Sequence, residues 1–308
     1  MNSELALHEA QRYKSIKRVL LIIFFLNIAV ALAKFFYGLF TKSAAMQADG
    51  LHSIFDGTGN LVGIIGITLA SAPADKSHPY GHNKFESFAS ALIGVLLVFA
   101  GLNVLSNAFE VLVSGRSDTV VNAGSFIVMI GTLVVNIAVT TYERRKAKRL
   151  SSELLGADAL HTLSDILVSL SVIVSLVLVS LGFGLADVFV SMLVAGAIFY
   201  SAYEVFKKVN STLSDAAQIP QKDIKNALKD ISGVRDIHAI RSRGSEGHVY
   251  ADLHILIDPH MTVFIAHEIS VEVENKLKAE FPQITDVVVH VEPDNAEQRY
   301  SAQSESIS

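Results

Sequence analysis

Two stretches of the chain place ionisable side chains in the same order within otherwise apolar sequence. Residues 48–56 read A-D-G-L-H-S-I-F-D, and residues 157–165 read A-D-A-L-H-T-L-S-D. Ala, Asp, Leu, His and Asp recur at identical offsets. On a helix, His52 and Asp56 project from one face, one turn apart, and His161 and Asp165 repeat the arrangement. Two such helices packed together converge two imidazoles and two carboxylates. Four nitrogen and oxygen ligands suit tetrahedral Zn2+. Asp49 and Asp158 lie one turn earlier on the same faces and offer outer and inner positions at which an ion could wait. The plainer alternative is that these groups only hydrogen-bond helices together, as a lone Ser or Asn in a span commonly does. Each Asp near a bilayer centre costs about 2.5–3.5 kcal/mol on insertion scales, and packing alone does not require that cost twice in one pattern. The repeated set therefore reads as functional. Asn27 and Asn60 fit packing as readily as function.

The elements that must hold these motifs are legible in the composition. Of 308 residues, 51% are hydrophobic and 18% charged, too apolar for an ordinary soluble domain. Apolar residues dominate 15–209 and thin out after 210. A helix crossing a bilayer needs roughly 20 mostly apolar residues. Six segments qualify, at about 16–40, 46–71, 86–113, 120–142, 155–181 and 185–206. Six spans put both termini on one side. That side collects Arg12, Lys14, Lys17, Arg18, Lys76, Lys84, the basic run Arg144 to Arg149, Lys207 and Lys208. The other side holds little beyond Lys42 and Arg116, so the positive-inside rule makes the crowded side cytoplasmic. Lys34, inside the first run, reads as snorkelling to the outer interface. The second and fifth spans then run in opposite directions, as in an inverted repeat of three plus three helices.

Several classes are excluded. The basic run is a topology signal directly after an apolar span, and the net charge of −5 gives no sign of a nucleic-acid partner. The polar start, with Glu4, His8, Glu9 and Arg12, does not have the form of a cleavable signal peptide. There is no cysteine, so any metal must use His, Asp or Glu. No H-E-x-x-H occurs, and no Glu stands between paired histidines as a general base, so a membrane metalloenzyme is not the reading and no catalytic residues are assigned.

The loop after the second span reads P-A-D-K-S-H-P-Y-G-H-N-K and carries Asp75, His78 and His82. From spacing alone it is as readily a solvated loop with turn chemistry as a metal site. Residues 210–294 follow a different grammar: a helix at 221–231, strands at 234–242 and 247–257, a helix at 263–280 and a strand at 284–292, with Gly244 to Gly247 as the turn between the first two strands. This α-β-β-α-β order fits a small α/β sandwich. Alternation sets His254 and Asp252 opposite Val249, Ala251, Leu253, Ile255 and Ile257, and sets His290 and Glu292 opposite Val287, Val289 and Val291. Neutral imidazole is the commonest metal ligand, and this region also carries His238, His248, His260 and His267. The tail 295–308 is polar and Ser-rich and is expected to be disordered.

With both H-x-x-x-D spans and the P-A-D-K-S-H-P-Y-G-H-N-K loop in view, the chain resembles the cation diffusion facilitators, in particular their bacterial zinc/proton antiporter (ferrous-iron/zinc efflux) branch. The resemblance runs from the first span to about Pro293. It implies a membrane all-α six-helix bundle (15–209, after a cytoplasmic segment 1–14) and a cytoplasmic, ferredoxin-like αββαβ domain (210–294) that forms a homodimer. It implies proton-coupled export of a divalent cation through the bilayer of the cytoplasmic (inner) membrane, with His52, Asp56, His161 and Asp165 as the transport site. Two His and two Asp look like the zinc variant. Manganese- or iron-preferring relatives tend to replace a His with Asp or Asn, and some bacterial members carry Asp where His52 stands, so Fe2+, Mn2+, Cd2+ and Co2+ remain alternative substrates beside Zn2+. The resemblance further implies a second metal site at Asp75, His78 and His82, and a charge pair, Lys84 with Asp215, joining the two parts. It also implies a two-metal regulatory site made by His238, His254, His267, His290 and Glu292, with Glu292 standing where some relatives have Asp. His248 and His260 have no counterpart and are expected at the surface. A non-transporting metal sensor is the remaining rival, but a sensor needs no ligands at the midplane.

Overall fold

A computed structural model describes residues 3–41, 53–54, 57–114, 123–180 and 186–305. Asp49, His52 and Asp56 of the first motif lie outside them. The chain divides into two compact units, Met1–Val209 and Asn210–Ser308.

The first unit is built of helices: α1 (Ser3–Thr41), α2 (Thr58–Ala70), α3 (Lys84–Ser114), α4 (Ala123–Leu150), α5 (Glu153–Ser180) and α6 (Ala186–Leu213). Among the described residues, three stretches are long and apolar enough to cross a membrane, Ala10–Phe40, Lys84–Glu110 and Val188–Leu213. The Thr58–Ala70 helix is apolar but shorter. Side chains are sorted as a lipid solvent requires. Ile16, Leu20, Ile23, Leu97 and Ile198 are fully buried between helices, whereas Phe25, Phe40, Phe99 and Leu193 face outward, 64–87% exposed. In water such an apolar surface would be a liability. Small residues let the helices approach: a Cβ at Gly66 would stand 2.2 Å from that of Ala89, and one at Gly101 would stand 2.9 Å from the Phe199 ring.

One end of this unit is clipped by a buried polar network. Arg12 donates from Nε to the Leu150 carbonyl (2.7 Å) and from Nη2 to the Ser151 carbonyl (2.8 Å) and to Glu86 Oε2 (3.2 Å). Ser152 donates to Glu86 Oε1 at 2.5 Å, and Ser87 donates to Glu153 at 2.8 Å. The start of α1, the start of α3 and the α4–α5 turn thus meet, as alternating helix directions demand. Ser151, with φ of 45°, makes that turn. Lys34 corrects an expectation. It does not snorkel outward but is only 9% exposed, and its Nζ donates to Ser53 Oγ at 3.1 Å. A partner inside the bundle outweighs the reach to an interface.

The second unit runs α7 (Gln221–Leu228), β1 (Asp236–Ser245), β2 (His248–Ile257), α8 (Val263–Glu280), β3 (Ile284–Pro293) and α9 (Ala296–Glu305). The sheet order is β1-β2-β3, β1 antiparallel and β3 parallel to β2. Both α7 and α8 contribute to one core through Ile224, Leu228, Val273 and Leu277, against Leu253 and Ile255 of the sheet. Thr262 caps α8 by accepting from Ile265 N at 3.3 Å. The helix expected at 221–231 ends at Leu228, because the chain must turn through Gly233 at φ 90° before β1. Pairing of Ser245 with His248 leaves Glu246 and Gly247 as the hairpin turn. Gly244, at φ 116°, belongs to the strand, where a Cβ would fall 2.1 Å from the His248 carbonyl oxygen.

Two further expectations are corrected here. His248 is not a surface residue but is 2% exposed, since the residue that closes the hairpin is folded inward. The tail is not wholly disordered: Ala296–Glu305 is helical. Asn295 Oδ1 accepts from Gln298 N at 2.9 Å, and Arg299 Nη2 donates to Asp294 Oδ2 at 2.7 Å. An N-cap and an anchoring ion pair thus stabilise a segment whose composition alone would not order it. His260 is exposed as expected.

Candidate metal centres

Helix α5 carries Asp158, His161 and Asp165 toward a cavity of about 540 Å³ inside the helical unit, whose wall also includes Asn60, Asn136 and Lys34. Asp158 is 1% exposed. Asn60 on α2 grips both of its carboxylate oxygens, at 3.1 and 2.9 Å, and Asn27 on α1 donates to Asn60 Oδ1 at 2.8 Å. The two asparagines are therefore more than packing: they form a relay that fixes Asp158. Gly59 abuts His161, with a Cβ there 3.9 Å from the ring. The start of α2 thus borders the second motif. His161 and Asp165 stand as half of the expected quartet, and the other half, His52 and Asp56, lies outside the described residues.

Sequence reasoning missed one acid here. Glu143 on α4 is 0% exposed and adjoins Asp158 and Thr162. Neither of its oxygens accepts a hydrogen bond of good geometry; its polar neighbours are the Asp158 carboxyl and the Thr162 hydroxyl, the latter also 3.2 Å from the Asp158 carbonyl oxygen. Glu143 precedes the basic run and shares no spacing with the repeats, so local pattern could not single it out.

The loop between α2 and α3 brings its three expected residues together. Asp75, His78 and His82 offer ligand atoms within 4.8 Å of one another. Asp75 Oδ1 accepts from the backbone N–H of His78 (2.7 Å) and of Ser77 (2.8 Å). The His78 N–H bond, chiefly, holds this carboxyl below its usual range, and the nearby imidazoles add to the effect. Gly81 turns the chain at φ 86°, which lets His82 fold back. His82 Nδ1 donates to the Pro73 carbonyl at 3.1 Å, which turns Nε2 toward Asp75 Oδ2 at 3.5 Å. A backbone carbonyl that fixes the tautomer is the usual support of a ligating imidazole.

In the second unit, strand register sets three histidines in a row: His238 opposite His254, and His254 opposite His290. A bulge between His238 and Arg241, with Ala239 at φ 48°, redirects β1 immediately after the first of them. Glu292 reaches all three, from Oε2 to His238 Nε2 (3.1 Å) and from Oε1 to His254 Nδ1 (3.0 Å) and His290 Nε2 (3.5 Å). Yet Glu292 Oε2 and His238 Nδ1 are buried without a hydrogen-bond partner. Donor-rich rings around a carboxylate oxygen that none of them satisfies fit a bound cation, so the donor set passes this test. His267 is exposed on α8 and is not part of the cluster. Lys84 opens α3 and Asp215 lies just past α6 with φ of 55°.

Comparison with known proteins decides what kind of molecule carries these centres. Residues 20–214 match the family model described as the cation efflux transmembrane domain, and residues 217–294 match that of the cation efflux protein, cytoplasmic domain. The chain belongs to the cation diffusion facilitator family. It is a membrane protein and a divalent-cation efflux transporter, not an enzyme. Among this family's members, transporter MJ0449 of Methanocaldococcus jannaschii is 32% identical over 86% of this chain and 94% of its own length. Manganese efflux system protein MneP of Bacillus subtilis is 27% identical over 92% and 98%. Cation-efflux pump FieF of Pectobacterium carotovorum is 28% identical over 87% and 91%. Solved structures of the domain designated MamM CTD match 24% of this chain and 94% of theirs, at 31% identity and a TM-score of 0.24.

Proposed function

We propose that this transporter exports Zn2+ from the cytoplasm across the inner membrane in exchange for protons, through a midplane site of His52, Asp56, His161 and Asp165. The observation that carries the reading is the pair His161 and Asp165 on the wall of a cavity inside an apolar helical unit. Ionisable groups so placed mark an ion pathway, and two imidazoles with two carboxylates suit Zn2+. Six spans with both termini cytoplasmic accord with the Arg12 network, which gathers the helix ends that alternation assigns to one side.

The exchange follows from ligand chemistry. An imidazole must be neutral to bind the substrate ion, so loading from the cytoplasm releases protons. When the bundle opens outward, protons compete for the same nitrogens and carboxylates and expel the ion. An unperturbed imidazole titrates near physiological pH, which suits it to this exchange. Asp158, pinned by Asn60 one turn from His161, is the inner waiting position, and Asp49 the outer. Asp75, His78 and His82 form a second cytoplasmic metal site. His238, His254, His290 and Glu292 would hold a regulatory cation, with His267 joining at a homodimer interface. A cation held there would supply positive charge that offsets the like charge of two acidic domains.

A second reading, export of Mn2+ or of several divalent ions including Fe2+, is favoured by the likeness to MneP and to a second Bacillus subtilis manganese efflux system protein, MneS. Binding cannot separate the two, because Zn2+ outcompetes Mn2+ and Fe2+ at almost any such site. Flux can. In proteoliposomes with an imposed pH gradient, Zn2+ or Cd2+ flux with proton counterflow, lost in Asp165→Ala and His161→Ala, is the expected result. Greater Mn2+ or Fe2+ flux replaces the substrate, and wild-type flux in both variants removes the site assignment.

A further inference from the structure

Glu143 is the one buried acid of the helical unit's described residues whose oxygens are both without a hydrogen-bond partner. It sits seven residues before the end of α4 at Leu150, and Asp158 sits five residues after the start of α5 at Glu153. At 1.5 Å per residue, both carboxyls lie roughly 8–10 Å inside the Ser151–Ser152 turn, level with each other across the hairpin. Asn60 Nδ2 reaches both oxygens of Asp158, which fixes the carboxyl and leaves each oxygen a further lone pair. The Thr162 hydroxyl lies beside Glu143 and within 3.2 Å of the Asp158 carbonyl oxygen; when it donates to that carbonyl, its oxygen lone pairs face the acid.

Two carboxyls side by side and withdrawn from water cannot both stay charged without something positive between them. Either a proton or a cation meets that need. The Arg12 guanidinium does not, because it is committed to Glu86 and to the carbonyls of Leu150 and Ser151. The surroundings favour a cation. Asp158 lies on the cavity wall that also carries His161 and Asp165, and His161 follows it by one helical turn. Glu143 is not on that wall but adjoins Asp158 and Thr162, which are, and so places a further carboxylate behind them.

We propose that Glu143, Asp158 and the Thr162 hydroxyl form a separate all-oxygen divalent-cation site, in which the ion is held loosely before it steps to His161. The inference rests on the transport reading above. Carboxylate and hydroxyl oxygens without nitrogen suit hard ions such as Mn2+ and bind Zn2+ less firmly than imidazoles do. That weakness is what a staging position requires: an ion held as tightly as at the histidines would not move on. Asn60 is a positioning residue here, since it holds Asp158 without offering the ion a free oxygen.

The test uses the full-length protein and bare Mn2+ and Zn2+ as probes. Bound Mn2+ is counted by equilibrium dialysis and electron paramagnetic resonance on detergent-purified protein, and cation KM is read from proteoliposome flux, for Glu143→Gln, Glu143→Asp and Asp165→Ala. Gln keeps the shape and removes the repulsion, so it should fold. The site predicts that Glu143→Gln loses one Mn2+ per chain and raises KM at least tenfold, while Glu143→Asp keeps the ion and most of the flux. An unchanged Mn2+ count and KM in Glu143→Gln overturns the proposal and leaves a carboxyl pair that merely shares a proton. Full flux in Asp165→Ala would sink the transport-site reading alone, and the Mn2+ count in Glu143→Gln still decides the oxygen site.

Discussion

Replacing Arg12 with Met removes the positive member of a buried ion pair and leaves the rest of the pair in place. Arg12 and Glu86 side chains are only 9% and 7% exposed, 3.2 Å apart. Breaking one side of such a pair strands a charge, at a cost of about 3–5 kcal/mol. The carbonyls of Leu150 and Ser151 also lose their donor, so the upper part of that range applies. For a unit of this size, each kcal/mol moves Tm by about 2–4 °C, so about 4–5 kcal/mol gives a fall of roughly 8–20 °C. The double variant Arg12→Met with Glu86→Gln removes the stranded charge and keeps an acceptor for Ser152, so it should recover at least about 2 kcal/mol of the loss. Far-UV circular dichroism of the full chain in detergent, heated alongside the parent, reads both values. If Arg12→Met melts within about 2 °C of the parent, or if Glu86→Gln adds its own cost in full, the pair is not the clip that the geometry describes.

Glu292→Gln should weaken Zn2+ binding in the second unit at least tenfold by isothermal titration of the full chain, because it removes the carboxylate that reaches three imidazoles; unaltered affinity would take Glu292 out of the ligand set. Gly244→Ala should cost about 1–3 kcal/mol, since φ of 116° and a Cβ 2.1 Å from the His248 carbonyl oxygen cannot both be relieved cheaply; a melting temperature equal to the parent's would show that the hairpin relaxes freely. Asp294 gives a pH test. Hydrogen bonds from Arg299 and then Arg235 hold its carboxyl far below the usual range. A value depressed in the folded state contributes stability that is complete above the unfolded value, near 4, and is lost as pH falls through the folded one. Asp294→Asn should therefore be less stable at pH 7 and show a flatter decline in Tm on acidification below about pH 4; parallel declines would assign the acid limb elsewhere.

Much of this protein could be read from short-range pattern. A helix repeats every 3.6 residues and a strand every two, so the spacing of His161 and Asp165, and the shared face of His290 and Glu292, follow from the chain itself. The α-β-β-α-β order of the second unit and the proximity of Asp75, His78 and His82 are equally local, since a loop of a few residues keeps its side chains close whatever surrounds it. Family membership was legible for the same reason: the two H-x-x-x-D words and the loop between them are contiguous in sequence.

What pattern could not supply is partnership between segments far apart. Lys34 reads as an outward-reaching cation until Ser53 is seen beside it. Arg12 reads as one of many topology charges until Glu86 and the α4–α5 turn close on it. Residues 296–305 read as a polar tail until Asp294 anchors Arg299. His238 joins His254 and His290 only through the register of three strands, and His267, equally promising by residue type, stays apart from them. Glu143 shows the division most sharply. An acid before a basic run has nothing in its neighbours to mark it, and it becomes a candidate ligand only because α4 packs against α5 and buries it beside Asp158 with neither oxygen well hydrogen-bonded. Residue type and spacing determined which groups can do chemistry and on which face of an element they lie. The tertiary structure decided which of them meet, because burial, desolvation and hydrogen-bond satisfaction belong to packed surfaces and not to any one segment of the chain.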